Sequence, residues 1–331
     1  MTTTSTKPAR AKTQPAAASS GERRSAARLA RPRVLVTGAA SGLGRVLCRR
    51  LHRDYDVISL DARAFPDRPK DVEHHEVDLR RKAAQTIVKK RRPELVVHIG
   101  PMHDDLVRNV GGALLETTAT LLRLVEEVGA RKLVVLSSAS LYGPSPTSAA
   151  FLSEDAPLLG GQRHRRMADA IGVDMMVQSF FWRHPDTETV ILRPVHVTGP
   201  HQQNLVSQYL RMERPPVMLG FDPMLQVVHE DDLLDAIILA LQPGARGVFN
   251  ITGPTQAPLS RILDARGAHA LPIPGILLGA GLARLRALRL TRTSVDELVH
   301  LKYACLVDGA RADRELGYVP RRSLKDAVTD V

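Results

Sequence analysis

Aromatic residues make up only 4% of this 331-residue chain, so its core has to be built from Leu, Val, Ile and Ala. Cysteine is scarcer still. Cys48 and Cys305 are the only two, far apart and without CxxC spacing. That excludes a disulfide framework and a cysteine metal site, and predicts ordinary thiols in a reducing compartment. No uninterrupted apolar run reaches the roughly 18 residues of a membrane span. The longest apolar stretch, LPIPGILLGAGLARL at 271–285, is broken by Pro, Gly and Arg. No secretory apolar region precedes the first strand. Acid is missing in one place: residues 1–33 hold Glu22 alone against eight Lys and Arg, and so carry +7 of the net +11. The rest of the chain is close to ordinary, so nucleic-acid binding is not expected. Residues 1–32 are rich in Thr, Ser, Ala and Pro and read as a disordered basic extension. The alternatives are a tether to anionic partners or an organellar transit peptide, which would change the expected cytoplasmic location.

What is present begins at RVLVTGAASGLGRVLCRRL, residues 33–51. A short apolar strand runs into Gly38, Gly42 and Gly44, then into a helical pattern starting near Leu43. Glycines there allow a sharp turn and close approach to a pyrophosphate, and the helix N-terminus offers N–H groups to the phosphates. The next strand, in DVISLDAR, ends at Asp61. An acid at that place accepts hydrogen bonds from a ribose and repels a 2′-phosphate, which favours NAD over NADP. Arg63 and Arg45 lie nearby and soften that preference. Further strands follow in HHEVDLR (74–80), ELVVHIG (94–100) and KLVVLSS (132–138), with a helical pattern over 105–130 that ends at a glycine. Strands alternating with helices imply an α/β fold: a Rossmann-type, doubly wound parallel sheet.

At this point the chain resembles the extended short-chain dehydrogenase/reductases, within them the NAD-dependent epimerase/dehydratase family typified by UDP-galactose 4-epimerase. The blocks that carry the resemblance are VTGAASGLG (36–44), VDL (77–79), NVGGALLE (109–116), VVLSSASLYG (134–143), ILRPVHVTGP (191–200), VHEDDL (228–233), VFNITG (248–253) and ARADRELGYVPRRSL (310–324). The glycine spacing, TGxxxGxG, is that of the shorter single-domain branch. The resemblance implies a NAD-binding Rossmann domain over 33–195 and a smaller C-terminal α/β substrate lobe over 196–331, partly interleaved with the sheet. It implies cofactor contacts at Gly38, Gly42, Leu43, Gly44, Asp61, Asp78, Leu79, Gly100 and Pro194. It places the serine that holds the reacting hydroxyl at Ser138, and substrate contacts at Asn109, His196 and Asn204. It also implies a homodimer.

The resemblance asks for YxxxK on the helix after Ser138, a tyrosine acid/base with a lysine that lowers its pKa. Family spacing back from Arg193 puts Arg166 and Ala170 there, and no YxxxK occurs anywhere in the chain. Arginine does not release its proton near neutral pH. The usual relay is therefore absent. His164, His103 and Asp169 are the candidate surrogates, with His164 foremost because histidine titrates in the required range.

On the substrate side, the arginine that grips a nucleotide diphosphate just before the VHEDD block is missing: FDPMLQVVHEDD has none, and no Arg or Lys lies between Arg214 and His229. Such a charge-assisted contact is worth about 1.5–3 kcal/mol. The expected small-molecule substrate is a nucleotide sugar or an apolar hydroxyl compound. The expectation is an epimerase/dehydratase-like oxidoreductase with a degenerate active site. The alternative is a catalytically silent NAD(H) sensor or partner-binding protein. No metal is expected. The 271–285 segment reads as a helix docked on the lobe, or else as a lid or membrane-surface helix with its arginines on the polar side.

Overall fold

Short, continuously apolar segments such as VLV, LVVHI and KLVVL are suited to strands covered on both faces, and they form the centre of the structure. The computed structural model describes residues 31–100, 113–145, 150–162, 165–288 and 302–331. The basic extension, His103, Asn109 and His164 lie outside these.

Strands β1 (Arg33–Thr37), β2 (Asp56–Asp61), β3 (Glu73–Glu76), β4 (Leu95–Ile99), β5 (Lys132–Leu136) and β6 (Glu188–Pro194) alternate with helices α1 (Gly42–Leu51), α2 (Lys82–Arg91), α3 (Ala113–Val128) and α4 (Arg165–Arg183). Downstream come β7 (His196–Thr198), α5 (Leu205–Leu210), β8 (Pro216–Met218), β9 (Met224–His229), α6 (Glu230–Ala240) and β10 (Gly247–Ile251). The chain ends with β11 (Gln256–Pro258), α7 (Leu259–Arg266), β12 (Leu271–Ile273), α8 (Gly275–Ala287), α9 (Ala310–Leu316) and α10 (Leu324–Thr329).

The main sheet has seven strands in the order β3-β2-β1-β4-β5-β6-β10, and neighbouring strands pair in parallel. The order reverses between β1 and β4. In open parallel sheets the crevice outside the strand C-termini at that reversal is where ligands bind. Alternation along the strands splits the core in two. Val34, Val36, Val97 and Leu192 pack on one face with Leu47 of α1 and Leu233 and Ile237 of α6. Leu35, Val96, Val135 and Ile191 pack on the other with Leu121 and Leu124 of α3 and Val173 and Val177 of α4.

Strand β10 comes from within the lobe's stretch of sequence yet pairs with β6, Gly247↔Val190 to Ile251↔Pro194. The remaining lobe strands form a three-stranded sheet, β11-β9-β7, and the pair β12-β8. Leu210, Val227, Leu259, Ile262 and Val328 make a third, smaller core there. Residues Pro32–Val331 form one compact unit, which the return of β10 explains: the lobe is tied into the main sheet at both ends. Among the described residues no helix is long and apolar enough to cross a membrane.

The 271–285 segment forms β12 and α8; α8 touches β8 at Met218, but none of its described residues is buried, and Ile276 is 88% exposed.

Candidate functional site

The glycine loop is dictated by main-chain packing. Gly38 sits at φ +75°, in the left-handed region, and a Cβ there would overlap the Ile99 carbonyl. At Gly44 a Cβ would overlap the Gly38 carbonyl, and at Gly42 the carbonyl of His201. The Gly42 overlap shows that the loop after β7 lies across the start of α1, a contact no local motif reveals.

Ser41 caps α1. Its hydroxyl donates to the Gly38 carbonyl (2.7 Å) and accepts from Gly44 N–H (3.1 Å). Ser41 N–H donates to Gly38 O, while no described protein group accepts from the N–H of Gly42 or Leu43. Two free donors at the positive end of a ten-residue helix form an anion site beside the strand reversal. The Leu43 side chain points away from this site into the core, where it is buried.

Asp61 ends β2 with its side chain 7% exposed. Its Oδ2 accepts from Ala40 N–H (3.0 Å) and from Arg63 Nη2 (3.2 Å). Its Oδ1 accepts from Arg63 N–H (3.0 Å) and Arg63 Nε (3.1 Å). A carboxylate has about four acceptor positions, and this set uses them all. The acid of the sequence reading is in place, capped by a neighbouring arginine.

Beyond β3, Asp78 accepts from Arg80 N–H (2.9 Å) and Arg80 Nη2 (2.6 Å), and the Arg80 hydrogen bonds hold its carboxyl below the usual carboxylate range. Leu79 is buried in the core under α3. Gly100 follows β4 with its Cα side 3.6 Å from the Leu136 carbonyl, ordinary contact. Pro194 ends β6 opposite Ile251.

The sequence reading missed His98. It is buried on β4, its Nδ1 is 2.7 Å from Thr37 Oγ1, and its Nε2 has no hydrogen-bond partner. Burial pushes its imidazole down to about 4. A histidine within the apolar run LVVHI was the available signal. In the folded protein the ring stays neutral where the unfolded chain takes up a proton, so stability should rise with pH between about 4 and the unperturbed value near 6.5. The contribution from this ring is roughly 2–3 kcal/mol at the acid end. Urea midpoints at several pH values check this. His98→Gln should flatten the slope, and an unchanged slope would rule His98 out as its source.

Ser138 follows β5, half-buried, with its Oγ accepting from Ser140 N–H (3.1 Å). Beneath it lies a buried network. Arg193 forms a bidentate pair with Asp174, Nη2–Oδ1 2.7 Å and Nε–Oδ2 3.0 Å. Ser137 Oγ donates to the same carboxylate (2.5 Å). Arg193 Nη1 also donates to Tyr142 Oη and to the Glu154 carbonyl, both at 2.9 Å, and Tyr142 Oη donates to Asn250 Oδ1 (2.8 Å). The pair fixes the rotation of α4. Ala170, one turn before Asp174, is buried in the apolar cluster with Leu121, Leu141 and Val173, and Arg166 lies one turn earlier still. Tyr142 is the only tyrosine in this network, and burial pushes its pKa up, so it is not poised as a base.

A small cleft beside Ser138 is lined by Ala139, Ser140, Val195, His196, Gln226 and Cys305. His196 opens β7 half-buried, and burial pushes its imidazole down to about 4. Cys305 is pushed up to about 11 by burial, so it is a thiol and no nucleophile. Gln226 is tied at both ends to the main chain of Val307. Asn204 stands apart as the N-cap of α5: Oδ1 accepts from Ser207 N–H (2.9 Å) and Nδ2 donates to the Val197 carbonyl (2.7 Å). That is a complete structural role for its amide. His196 thus shares a cleft with Ala139 and Ser140, next in the chain to Ser138, while Gly38, Gly42, Gly44 and Asp61 lie together at the glycine turn and Asn204 belongs to neither group.

A strand order that reverses beside a capped glycine turn, with an acid at the end of the second strand, defines a Rossmann-type dinucleotide-binding protein. Residues 34–252 match the NAD dependent epimerase/dehydratase family, and the chain belongs to that family. An uncharacterised protein of Mycobacterium tuberculosis is 28% identical over 310 residues, spanning 90% of this chain and 82% of that one. The UDP-glucose 4-epimerase of Bacillus subtilis is 23% identical over 339 residues, spanning 90% and 95%. Among solved structures, the UDP-glucuronic acid 4-epimerase of Bacillus cereus, in complex with UDP-glucuronic acid and NAD, superposes with a TM-score of 0.69 at 18% identity over 90% of this chain and 97% of that one. That likeness is one of fold.

Proposed function

We propose that this chain binds NAD(H) across the β1/β4 crevice and acts there on a hydroxyl- or keto-bearing small molecule held at the Ser138–His196 cleft, through a site without the tyrosine–lysine relay. The residues fit the cofactor. The free N–H groups of Gly42 and Leu43 suit a pyrophosphate, and Asp61 suits a ribose once Arg63 moves off it. NAD, when bound, supplies the hydride acceptor or donor. Ser138 directs its hydroxyl at the substrate oxygen and orients it. His196, neutral at physiological pH, serves as a hydrogen-bonding group in the cleft. No described residue there holds a proton that it releases near pH 7: Tyr142 and Cys305 are pushed up by burial and His196 is pushed down. The proton therefore passes to substrate or water. The missing arginine before β9 favours a substrate without a nucleoside diphosphate.

What supports this reading is that Ser138 is next in the chain to Ala139 and Ser140, which line one cleft together with His196. The test is hydride exchange, read as NADH formation with a panel of secondary alcohols and nucleotide sugars. Turnover should fall about 100-fold or more in Ser138→Ala, the cost of losing one oriented donor. Turnover that ignores Ser138→Ala would refute the role of the cleft. A second reading, a silent NAD(H)-binding sensor, is favoured by Ala170, whose buried methyl stands where a ribose-binding lysine would be. It predicts NADH binding with no exchange on any substrate.

A further inference from the structure

The lobe carries an apolar surface that the proposed chemistry does not use. Helix α8 rests on β8: a Cβ at Gly275 would lie 3.3 Å from Met218 Sδ. Strand β12 pairs with β8, Leu271↔Pro216 to Ile273↔Met218, and Leu219 N–H donates to the Ile273 carbonyl (2.9 Å). Leu219, Leu271, Ile276 and Leu277 therefore belong to one small substructure, and all four are exposed, Ile276 and Leu277 at 88% and 63%. Soluble surfaces scatter single apolar residues but seldom group large ones this way without a partner.

The charge beside the patch says which partner. Between Asp264 and Asp296 the sequence has no acidic residue, and it has Arg266, Arg284, Arg286, Arg289 and Arg292. Residues 271–283 are uncharged, and four of the arginines follow within 284–292. Arg284 is exposed. A second copy of this chain meeting the same patch would set Arg284 against its own counterpart, which like-charge repulsion opposes. A surface that is apolar and anionic meets both halves of the pattern. At 1.5 Å per residue α8 is about 20 Å long, too short to cross a bilayer and long enough to lie in its interface.

We propose that the β8–β12–α8 surface docks on anionic lipid membranes, with Leu271, Ile276 and Leu277 entering the boundary between headgroups and acyl chains and Arg284 meeting lipid phosphates. This does not depend on the cofactor or the substrate. The test is sedimentation of the full-length protein with vesicles of phosphatidylcholine alone and of phosphatidylcholine with about 30 mol% phosphatidylglycerol. The protein should partition onto the anionic vesicles and leave them in high salt. Ile276→Glu with Leu277→Glu should weaken partitioning at least about tenfold, and Arg284→Glu should weaken it by a smaller factor. Both changes are at exposed positions, so melting temperatures should stay at the wild-type value. Wild-type binding by the double variant would overturn the proposal and assign the effect to the basic N-terminal extension. Absence of vesicle binding would overturn it too. So would a wild-type dimer in sedimentation velocity that falls apart in the double variant, since a second copy would then be the occupant.

Discussion

Asp174→Ala should lower the stability of this protein by about 3–5 kcal/mol, the cost of stripping one partner from a buried ion pair. The Arg193 guanidinium would keep only Tyr142 Oη and the Glu154 carbonyl as acceptors, and it is 1% exposed. Charge without a counter-charge in such a place is far costlier than the pair itself is worth. Domains carry only about 5–15 kcal/mol of net stability, so the variant should be visibly marginal. Urea unfolding checks this through the midpoint at constant slope. The consequence extends to the site. Asp174 holds α4 against β6 and, through Ser137, against the segment that follows β5 and carries Ser138. A variant folded enough to assay should lose the serine's orientation along with its stability. Wild-type stability in Asp174→Ala would mean that the pair is not formed in solution.

Saturating NADH should raise the melting temperature by several degrees, and Asp61→Ala should abolish the rise. A ligand at about 100 times its dissociation constant adds about 2.7 kcal/mol, which corresponds to roughly 5 °C for a chain of this size. The variant's own melting temperature is the baseline, because Asp61 also accepts from Ala40 N–H. Arg63 makes the result sharper. Its guanidinium occupies the acceptor positions a ribose would use, so NADH has to displace it. Arg63→Ala should therefore bind NADH more tightly than the wild type, and NADPH less tightly, since the displaced cation would no longer be available to a 2′-phosphate. Equal stabilisation of wild type and Asp61→Ala would show that the ribose does not reach β2.

Much of the candidate site could be read from the chain because its constraints are local. The turn at Gly38 and the acid at Asp61 each depend on residues within a few positions of one another or on the end of one strand. The parallel sheet was legible for the same reason: strands covered on both faces must be continuously apolar. Asp174 shows where such reading stops. It sits on the buried stripe of α4 with Ala170, Val173, Val177 and Phe180, and no motif of the sequence singled it out. Which cation it meets depends on β6 arriving beneath the helix. Asn204 shows the converse: a residue resembling a substrate contact is spent capping its own helix, and only the bond to Val197 reveals it.

By itself, then, the sequence determined the family and the sheet, since each follows from residue type at a position along one segment, and it contains no YxxxK. The tertiary structure decided how those groups are used. It caps Asp61 with Arg63, buries His98 on β4, lays the main chain of His201 over Gly42 and leaves Ile276 and Leu277 of α8 exposed. These are contacts between segments far apart in the chain or choices among side-chain partners. Their energies come from burial and desolvation, which exist only once the chain has closed on itself.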